Sequence, residues 1–369
     1  MTRRQALLVL AGGIGRPGPE ALVRAARYLW GRQAADGGWP SDTYGLLRSG
    51  QSLTAFVLDS LLLIPQQAFR PSASQVGRAF TFLDRHTDPE GAVGRRNPLI
   101  PDYPNYATAL AVMAQCRAGR RDQSTPLVEY LRRQQFSEQS GWSRDHPAYG
   151  AWGIGGDRRT PPEPGHVDLS MTRHVLQALA AGGAKPGDAA LALADVFLER
   201  CQNRDGGFLF STVVAGANKA GPASYGTATA DGILSLVAIG ARQNDQRLQV
   251  ARRWLAARHR PGIVPGLTGE AHRRWAQGLR FYYAAARAEA MPELPPDSAL
   301  AGEQRPDGSW VNPEPLVKED DPLIATGLAV RALVEWSLPD TPEGQVNHTH
   351  VPVRRRSLHG EKQGTPCGW

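Results

Sequence analysis

The chain has 369 residues, 41% of them apolar, and its 42 Lys and Arg against 35 Asp and Glu give a formal net charge of +7. This apolar share excludes a disordered chain, and the three cysteines, at positions 116, 201 and 367, cannot build a disulfide framework and lack the paired spacing of a zinc site. No segment reaches the roughly 18 apolar residues of a membrane span, since the best candidate, FVLDSLLLI, is interrupted by Asp59.

The first 18 residues resemble the leader of an exported protein. Arg3 and Arg4 are adjacent and precede an apolar run from Ala6 to Ala11, and a segment rich in glycine and proline follows. This order is typical of a twin-arginine leader, although the run is short and no A-x-A cleavage site follows it. A plain first helix is the alternative. The sequence therefore leaves both a cytoplasmic and an exported location open.

A short motif recurs along the rest of the chain. Four copies contain a glutamine, a polar turn, a glycine and then an aromatic residue: QAADGGW (33–39), QQFSEQSGW (134–142), QNRDGGF (202–208) and QRPDGSW (304–310). Two weaker copies, RHTDPEGAV (85–93) and ARHRPGIV (257–264), fill the gaps. Six units of similar length follow from this spacing.

Each unit has the same predicted helical pattern, with one helix before the motif and one after it. The leading helices are half apolar and half charged, and are predicted at 19–34, 72–86, 125–135, 187–202, 245–259 and 296–304. The following helices are apolar nearly all round, which predicts burial on both sides, and are expected at 48–64, 105–118, 168–181, 227–240, 270–289 and 322–336.

Strand signals are nearly absent, so the sequence predicts an all-α fold. Six hairpins that each pair a buried helix with a half-exposed one predict an α/α toroid with inner and outer helix rings, over residues 19–338. An open superhelix of hairpins is the alternative. The segment 339–369 is rich in proline, glycine and polar residues and is predicted to be a disordered tail; its three histidines and Cys367 match no zinc spacing.

The motif residues are explained by turn chemistry. Gly37, Gly206 and Gly308 can adopt a positive φ, and the neighbouring aspartates can accept hydrogen bonds from turn amides. The glutamine amides can cap helix ends, and the aromatic rings, Trp39, Trp142, Phe208 and Trp310, can pack on the next repeat. We therefore predict that these residues are structural and lie at the rim.

These repeats resemble the QW motifs of squalene–hopene and oxidosqualene cyclases and of the wider prenyltransferase/squalene-oxidase repeat group, over about residues 19 to 337. The resemblance implies a toroid whose central cavity takes an isoprenoid. It implies neither a metal nor another cofactor here, because the zinc ligands of the protein prenyltransferases and their D-x-C spacing are missing.

The acid motif DxDD of the hopene-type cyclases has only a partial counterpart, in which Lys318 takes the place of the first aspartate. Asp320 and Asp321 are therefore candidate acids, with helix capping beside Pro322 as the alternative. Asp231 is a third candidate, because it lies in the apolar stretch ATADGILSL, where a carboxylate requires a partner or a raised pKa. The alternatives for Asp231 are an ion pair with a neighbouring arginine or a role as a helix-turn residue.

Polar and aromatic residues at the predicted starts of the inner helices are candidates for ligand binding. Arg and His beside Tyr and Trp could hold an anionic or amphipathic molecule. The candidate binding residues are Tyr44, Arg48, Gln51, Tyr106, Asp168, Tyr225, His272, Trp275, Tyr282 and Tyr283.

Two functions remain open at the level of sequence. One is an enzyme of the terpenoid cyclase or prenyltransferase type that acts on an isoprenoid or other apolar molecule. The other is a non-catalytic toroid that binds a ligand or a protein at its mouth. Peripheral membrane contact is left open, whereas nucleic-acid binding is not predicted, because the arginines are scattered and form no basic groove. The sequence predicts no oligomeric state.

Overall fold

The computed structural model describes residues 19–95 and 102–337. The α-helices within these residues are α1 (Pro19–Gly31), α2 (Gln51–Leu62), α3 (Ala73–His86), α4 (Pro104–Arg117), α5 (Thr125–Arg133), α6 (Leu169–Ala181), α7 (Ala189–Cys201), α8 (Gly226–Ala238), α9 (Gln246–Arg258), α10 (Arg273–Gly278), α11 (Arg280–Ala290), α12 (Ser298–Gly302) and α13 (Pro322–Ser337). In this part of the chain, strand pairing is limited to isolated bridges. The predicted all-α fold is confirmed.

The inner helices form a closed ring. Helix α2 packs against α4, α4 against α6, α6 against α8, α8 against α11, α11 against α13, and α13 returns to α2. This closure confirms the toroid and excludes the open superhelix. These helices bury nearly every side chain, because each has ring neighbours on two sides, an outer helix behind it and the axis in front.

The outer helices α1, α3, α5, α7, α9 and α12 lie between successive inner helices and bury one face. In α1, Leu22, Leu29 and Trp30 are buried, whereas Arg24 and Arg27 are exposed. This division follows the helical period of the apolar residues. Among the described helices, none is long and apolar enough to cross a membrane.

The motif glutamines link each repeat to the next outer helix. The side-chain amide of Gln33 donates to its own turn at the Gly37 carbonyl (3.0 Å) and to the Gln75 carbonyl in the first turn of α3 (3.0 Å). Gln304 repeats this pattern with the carbonyl of Gly308 (2.9 Å) and that of Ala21 in α1 (2.9 Å), which joins the last repeat to the first. The turn chemistry predicted for the motif is thus also the chemistry that connects the outer ring.

The glycine and the aromatic residue of the motif are also explained by local contacts. Gly308 has φ +93°, and a Cβ atom there would lie 2.5 Å from the carbonyl oxygen of Arg24, so the turn and α1 touch backbone to backbone. The indole N–H of Trp39 donates to the Leu29 carbonyl (2.6 Å), and that of Trp310 donates to the Leu300 carbonyl (2.7 Å). Each tryptophan therefore caps the end of the outer helix that precedes it.

The third repeat differs from the sequence alignment. Gln135, rather than its neighbour, makes the two glutamine bonds, to the carbonyl of Gly150 (2.9 Å) and to the first turn of α7 (2.8 Å). Trp152, rather than Trp142, donates its indole N–H to α5 (2.7 Å). Gln135 and Gly150 are 15 positions apart, whereas the corresponding residues of the other clear copies are 4 apart. An insertion that itself ends in glycine and tryptophan therefore misled the alignment at this repeat.

The fifth inner helix also differs from its prediction. The expected helix 270–289 breaks at Leu279 into α10 and α11. Glu319 explains the break, because its carboxylate accepts hydrogen bonds from the backbone amides of Phe281 (3.0 Å) and Tyr282 (2.7 Å) and so begins a new helix there. The predicted leader (1–18) and tail (339–369) lie outside the described residues.

Candidate functional site

A cavity of about 340 Å³ lies on the toroid axis, at the end where the inner helices begin. Its lining comes from the first two turns of α2 and α13, from the first turns of α4, α6 and α11, and from the segments that precede helices. Most of the lining is apolar or aromatic, as is usual for small-molecule sites. The apolar members are Leu47, Leu53, Phe56, Met171, Phe210, Leu279, Val317, Ile324 and Leu328, and three tyrosines, Tyr103, Tyr106 and Tyr282, join them.

Two strained residues lie on the wall of this cavity. Tyr103 (φ +44°) and Lys318 (φ +67°) are the only non-glycine residues with positive φ in the part of the chain that the structure describes. Such a conformation costs about 1–2 kcal/mol for an ordinary residue. The Lys318 ammonium lies 5.8 Å from the ring centre of Tyr103 and 5.7 Å from that of Tyr44, within the range of a cation–π interaction. The strain therefore holds a cation beside aromatic faces at the cavity.

Asp231 lies directly behind the cavity wall and is fully buried. Both its carboxyl oxygens are within hydrogen-bond distance of the Tyr282 hydroxyl (2.9 and 3.0 Å), which is also 2.7 Å from the Ser170 hydroxyl. Tyr282 and Ser170 both line the cavity. Burial raises the pKa of Asp231 to about 7, outweighing the opposing effects of Arg173 and of the Tyr282 hydrogen bond. A carboxyl group that is about half protonated near neutral pH thus lies one hydrogen bond from the cavity lining.

The position of Arg173 explains why this arginine does not keep Asp231 ionised. Its guanidinium lies 2.5 Å from a carboxylate oxygen of Glu289 and 3.6 Å from Asp231. The amide of Gln177 also donates to Glu289 (2.6 Å). One guanidinium serves two carboxyl groups and is closer to Glu289, so Asp231 is the carboxyl group whose charge remains poorly compensated.

His174 is held neutral beside this cluster. Its Nδ1 atom lies 2.8 Å from the Ser170 carbonyl, which only an N–H can satisfy, and the Tyr106 hydroxyl lies 3.2 Å from Nε2. Burial, followed by the charge of Arg173, lowers the pKa of His174 well below its ordinary value. The Tyr106 hydroxyl therefore donates to Nε2, and the imidazole positions this cavity-lining tyrosine.

Beyond these residues, ion pairs fill the axis. Arg117 donates to Asp59 (2.8 Å), and Arg331 contacts Asp59 and donates to the Ser60 hydroxyl (2.9 Å). About 10 Å³ of space remains between Arg331, Arg173 and the cavity residues Phe56 and Tyr106. The axial cavity is therefore a pocket at one end of the toroid, not a channel through it.

A second group of charges borders the cavity near α6. Asp168 caps this helix by accepting from the Met171 amide (2.7 Å), and it pairs with His166 (2.8 Å), which raises the pKa of the imidazole. Nearby, the Lys219 ammonium lies 3.7 Å from the ring centre of Phe210, and burial lowers the pKa of this lysine. Asp168 and Phe210 both line the cavity, so this wall carries a carboxylate and a shielded amine.

The structure brings together only part of the predicted site. Tyr106, Asp168 and Tyr282 line the cavity, and Asp231 lies behind Tyr282. Tyr44 lies outside the lining and donates its hydroxyl to Asp320. The remaining predicted binding residues are absent from the lining: Arg48, Gln51, Tyr225, His272, Trp275 and Tyr283.

Most of these six residues have other partners. The Gln51 side chain accepts from the Gly94 amide (3.1 Å), His272 contacts the Thr268 carbonyl (2.9 Å), and the Tyr283 hydroxyl contacts His259 (3.2 Å). Of the other three, Tyr225 is buried in the core, Arg48 is exposed, and Trp275 packs near Lys219.

Asp321 has the contacts of a capping residue, whereas the Asp320 carboxylate accepts from the Tyr44 hydroxyl. Asp321 accepts from the Leu323 amide at the start of α13 (2.8 Å) and from the Ser41 hydroxyl (2.5 Å). Neither aspartate lines the axial cavity. Asp231 is therefore the candidate acid that the geometry favours.

Several residues of this site were not singled out from the sequence, among them Ser170, Arg173, His174, Lys219 and Glu319. A detectable signal existed for two of them, because Arg173 and His174 interrupt an apolar inner helix just as Asp231 does. Ser170 and Lys219 carry no such signal, since an isolated serine or lysine is ordinary at a helix start or in a loop.

Neither a protein-family model nor a curated protein sequence matches the chain. Solved structures do match. A type II terpene cyclase from Scytonema, MstE, in complex with its substrate geranylgeranyl dihydroxybenzoate, aligns with a TM-score of 0.55 and 15% identity over 86% of this chain and 96% of that one. The same cyclase with its product, merosterolic acid A, gives 0.53 and 15% over the same shares. A protein from Actinoplanes gives 0.52 and 18%, over 86% and 99%.

At these identities the matches establish the fold. The chain has the helical-toroid fold of these structures. Within residues 19–95 and 102–337, no three His, Cys, Asp or Glu side chains form a group that could hold a metal ion. The histidines and Cys367 of the predicted tail lie outside the described residues.

Proposed function

We propose that the axial cavity binds an isoprenoid or a similarly apolar small molecule, and that Asp231 provides the proton for an acid-initiated reaction there. The observation that carries this proposal is the pairing of a mostly apolar axial cavity with a buried, half-protonated carboxyl group one hydrogen bond behind its wall. Isoprenoid complexes of MstE, a toroid of the same fold, support the choice of ligand class.

The chemistry of the wall suits an apolar ligand with little charge. Burying aliphatic and aromatic surface against Leu53, Phe56 and Leu328 supplies the affinity, at roughly 25 cal/mol per Å² of apolar area removed from water. Lys318, Asp168 and Glu319 are the basic and acidic side chains of the lining, and Lys318 and Asp168 can orient one polar end of the ligand.

The acid step balances through Tyr282. The Tyr282 hydroxyl gives its proton to one carbon of a ligand double bond, while protonated Asp231 gives its own proton to the tyrosine oxygen. The ligand then carries a positive charge on the adjacent carbon, and Asp231 is left as a carboxylate. A second double bond can attack this cation to close a ring. The final cation then loses a proton to the Tyr282 oxygen as Tyr282 returns its own proton to Asp231, which leaves a neutral product and a protonated Asp231. The aromatic faces of Phe56, Tyr106 and Phe210 line the space where that charge develops.

Binding and turnover test this proposal separately. Purified protein is incubated with squalene and with prenyl diphosphates, and products are sought by mass spectrometry. We expect a cyclised product from wild-type protein and about a hundredfold or greater loss of rate in Asp231→Asn and Tyr282→Phe. Asp195→Asn is the matched control, because Asp195 lies on α7 at the outer surface and pairs with Arg247. Full activity in D231N would overturn the assignment of the acid.

One observation favours a second function, non-catalytic binding. Asp231 itself does not line the cavity, and Tyr282 and Ser170 stand between it and any ligand. If the toroid only binds, wild-type protein takes up an isoprenoid, measured by calorimetry, without converting any member of the panel. Phe56→Ala would weaken that uptake, whereas D231N would leave it unchanged.

A further inference from the structure

The insertion in the third repeat forms a pocket of its own. The turn from Gln135 to Gly150 is extended, and the segment from Trp152 to the start of α6 is long as well. Together these segments enclose a cavity of about 50 Å³ that is separate from the axial cavity. We call it the insertion pocket. Its floor contains Phe136, Trp142 and Gly153.

The size of this pocket limits its occupant. At about 10–15 Å³ for each water-sized probe, 50 Å³ accommodates a few water molecules or one small polyatomic ion. An isoprenoid chain does not fit. The occupant must therefore be recognised by charge and hydrogen bonds rather than by buried apolar area.

The rim of the insertion pocket is basic. Arg133, Arg158 and Arg159 line it, and Asp157 is the one acidic side chain in the lining. Asp157 lies 3.6 Å from Arg95, which offsets its charge. Arg158 and Arg159 are exposed and form no hydrogen bond or ion pair with the rest of the described chain. The net positive charge and the free guanidinium groups favour an oxyanion.

Two buried polar atoms of the lining lack partners. The indole N–H of Trp142, a residue that is 1% exposed, has no acceptor. Asn105 is also 1% exposed; its amide N–H donates to the Gly153 carbonyl (2.9 Å), but its carbonyl oxygen has no donor. An unpaired buried polar group costs about 1–3 kcal/mol, and this pocket contains one donor and one acceptor of that kind. Both costs disappear when one small molecule supplies both an acceptor and an O–H.

We infer that the insertion pocket binds a hydrogen-phosphate group, whose ionised oxygens accept from Trp142, Arg158 and Arg159 and whose P–O–H donates to the Asn105 carbonyl oxygen. A phosphate group meets the required chemistry because it remains partly protonated near neutral pH. Sulfate has the same shape and acceptor oxygens but no O–H at this pH. The phosphate group could be free inorganic phosphate or the end of a larger phosphorylated molecule.

The site also adjoins the axial cavity. His166 lines the insertion pocket, and its partner Asp168 lines the axial cavity, with 2.8 Å between the imidazole and the carboxylate. An anion at the insertion pocket therefore lies one ion pair away from the wall of the axial site. This contact gives the two sites a direct physical connection while leaving the phosphate site independent of the isoprenoid proposal.

The test is a titration of the full chain with inorganic phosphate, inorganic diphosphate, geranyl diphosphate and sodium sulfate at constant ionic strength. Calorimetry gives affinity, and the indole N–H resonance of Trp142, identified by its absence in Trp142→Phe, reports the contact. We expect phosphate to bind and to move that resonance, and sulfate to bind about tenfold more weakly. Tighter binding of geranyl diphosphate than of inorganic diphosphate would identify the larger molecule as the source of the group.

Variants separate this site from general attraction to a basic protein. Trp142→Phe keeps an aromatic side chain but removes the indole N–H together with the five-membered ring, and it should weaken phosphate binding about tenfold, as should Arg158→Gln combined with Arg159→Gln. Arg144→Gln is the matched control, because Arg144 is an exposed arginine in the same insertion that does not line the pocket. Thermal unfolding checks that each variant is folded. No shift of the indole resonance, or equal loss of binding in R144Q, would overturn the inference.

Discussion

The same inner helices enclose two regions of opposite character. At their N-terminal ends they surround an apolar cavity, and about two turns farther along they meet in buried ion pairs. Helix α13 turns Ile324 and Leu328 to the cavity and Arg331 to the ion pairs, a stripe at helical spacing. The comparison shows that one face of α13 carries both regions, so closure of the ring alone does not decide whether the axis is empty or filled. The residue at each turn decides it.

The largest expected effect is on the filled region. Asp59→Ala leaves the partly buried Arg117 and Arg331 without the fully buried carboxylate that they share, so we expect a loss of about 3–5 kcal/mol in the free energy of unfolding, measured in urea. Asp84→Ala is the control, because the pair of Asp84 with Arg120 is half exposed and should cost about 1 kcal/mol or less. Similar losses in both variants would mean that the ion pairs do not hold the axis closed.

Asp231 lies between the apolar cavity and the ion pairs, and its protonation should make the free energy of unfolding depend on pH. The pKa of this group is about 7 in the folded protein against 3.8 ordinarily, so the folded state retains a proton that the unfolded state releases between these values. The free energy of unfolding should therefore fall as pH rises from about 4 to about 7 and level off above. Asp231→Asn removes this dependence, so the free energy of unfolding of D231N minus that of wild type should be about 4 kcal/mol larger at pH 8 than at pH 4.

Glu319, whose pKa burial also raises to about 7, adds its own dependence in the same direction. The difference between wild type and D231N isolates Asp231, since both proteins contain Glu319. A difference that stays constant from pH 4 to pH 8 would contradict the assignment.

Two leucines of α13 allow a comparison between a packed position, Leu333, and a position beside the axial cavity, Leu328. Leu333 is fully buried in α13, and Leu333→Ala should cost about 3 kcal/mol through lost burial and a new cavity. Leu328 faces space that already exists, so Leu328→Ala should cost about half as much while enlarging the axial cavity. Chemical denaturation of both variants gives the two numbers, and equal costs would show that the axial cavity is collapsed in solution.

The smallest expected effect on stability concerns Lys318, one of the two strained residues of the cavity wall. Lys318→Gly relieves the positive φ and should stabilise the protein by about 1 kcal/mol, seen as a rise in Tm. The same change removes the ammonium group from the cavity, so it should weaken binding of a ligand with an anionic end. Lys219→Gly, at a lysine without a positive φ, is the contrasting variant and should not stabilise.

Much of the fold could be predicted from local sequence because its causes are local. Helical periodicity identified the buried and half-exposed helices, and the motif glycines and glutamines act on turns within a few residues of themselves. The third repeat was misaligned because Gly141 and Trp142 reproduce the motif by composition, and only the long-range bonds of Gln135 and Trp152 distinguish the two. The break at Leu279 was equally invisible, because the capping group, Glu319, is about 40 residues away in sequence.

The candidate site, like the fold, has features that the sequence indicates and others that only tertiary contacts create. An aspartate inside an apolar helix is visible in the sequence, and that signal identified Asp231. Its hydrogen bond to Tyr282, its shared guanidinium and the cavity in front of it arise from three helices that meet only when the ring closes. The pairing of Tyr103 with Lys318 and the unsatisfied atoms of the insertion pocket also depend on contacts between distant segments. Sequence therefore determined which residues were unusual, whereas tertiary structure decided which of them share a cavity, because burial and electrostatic coupling depend on distance in space rather than along the chain.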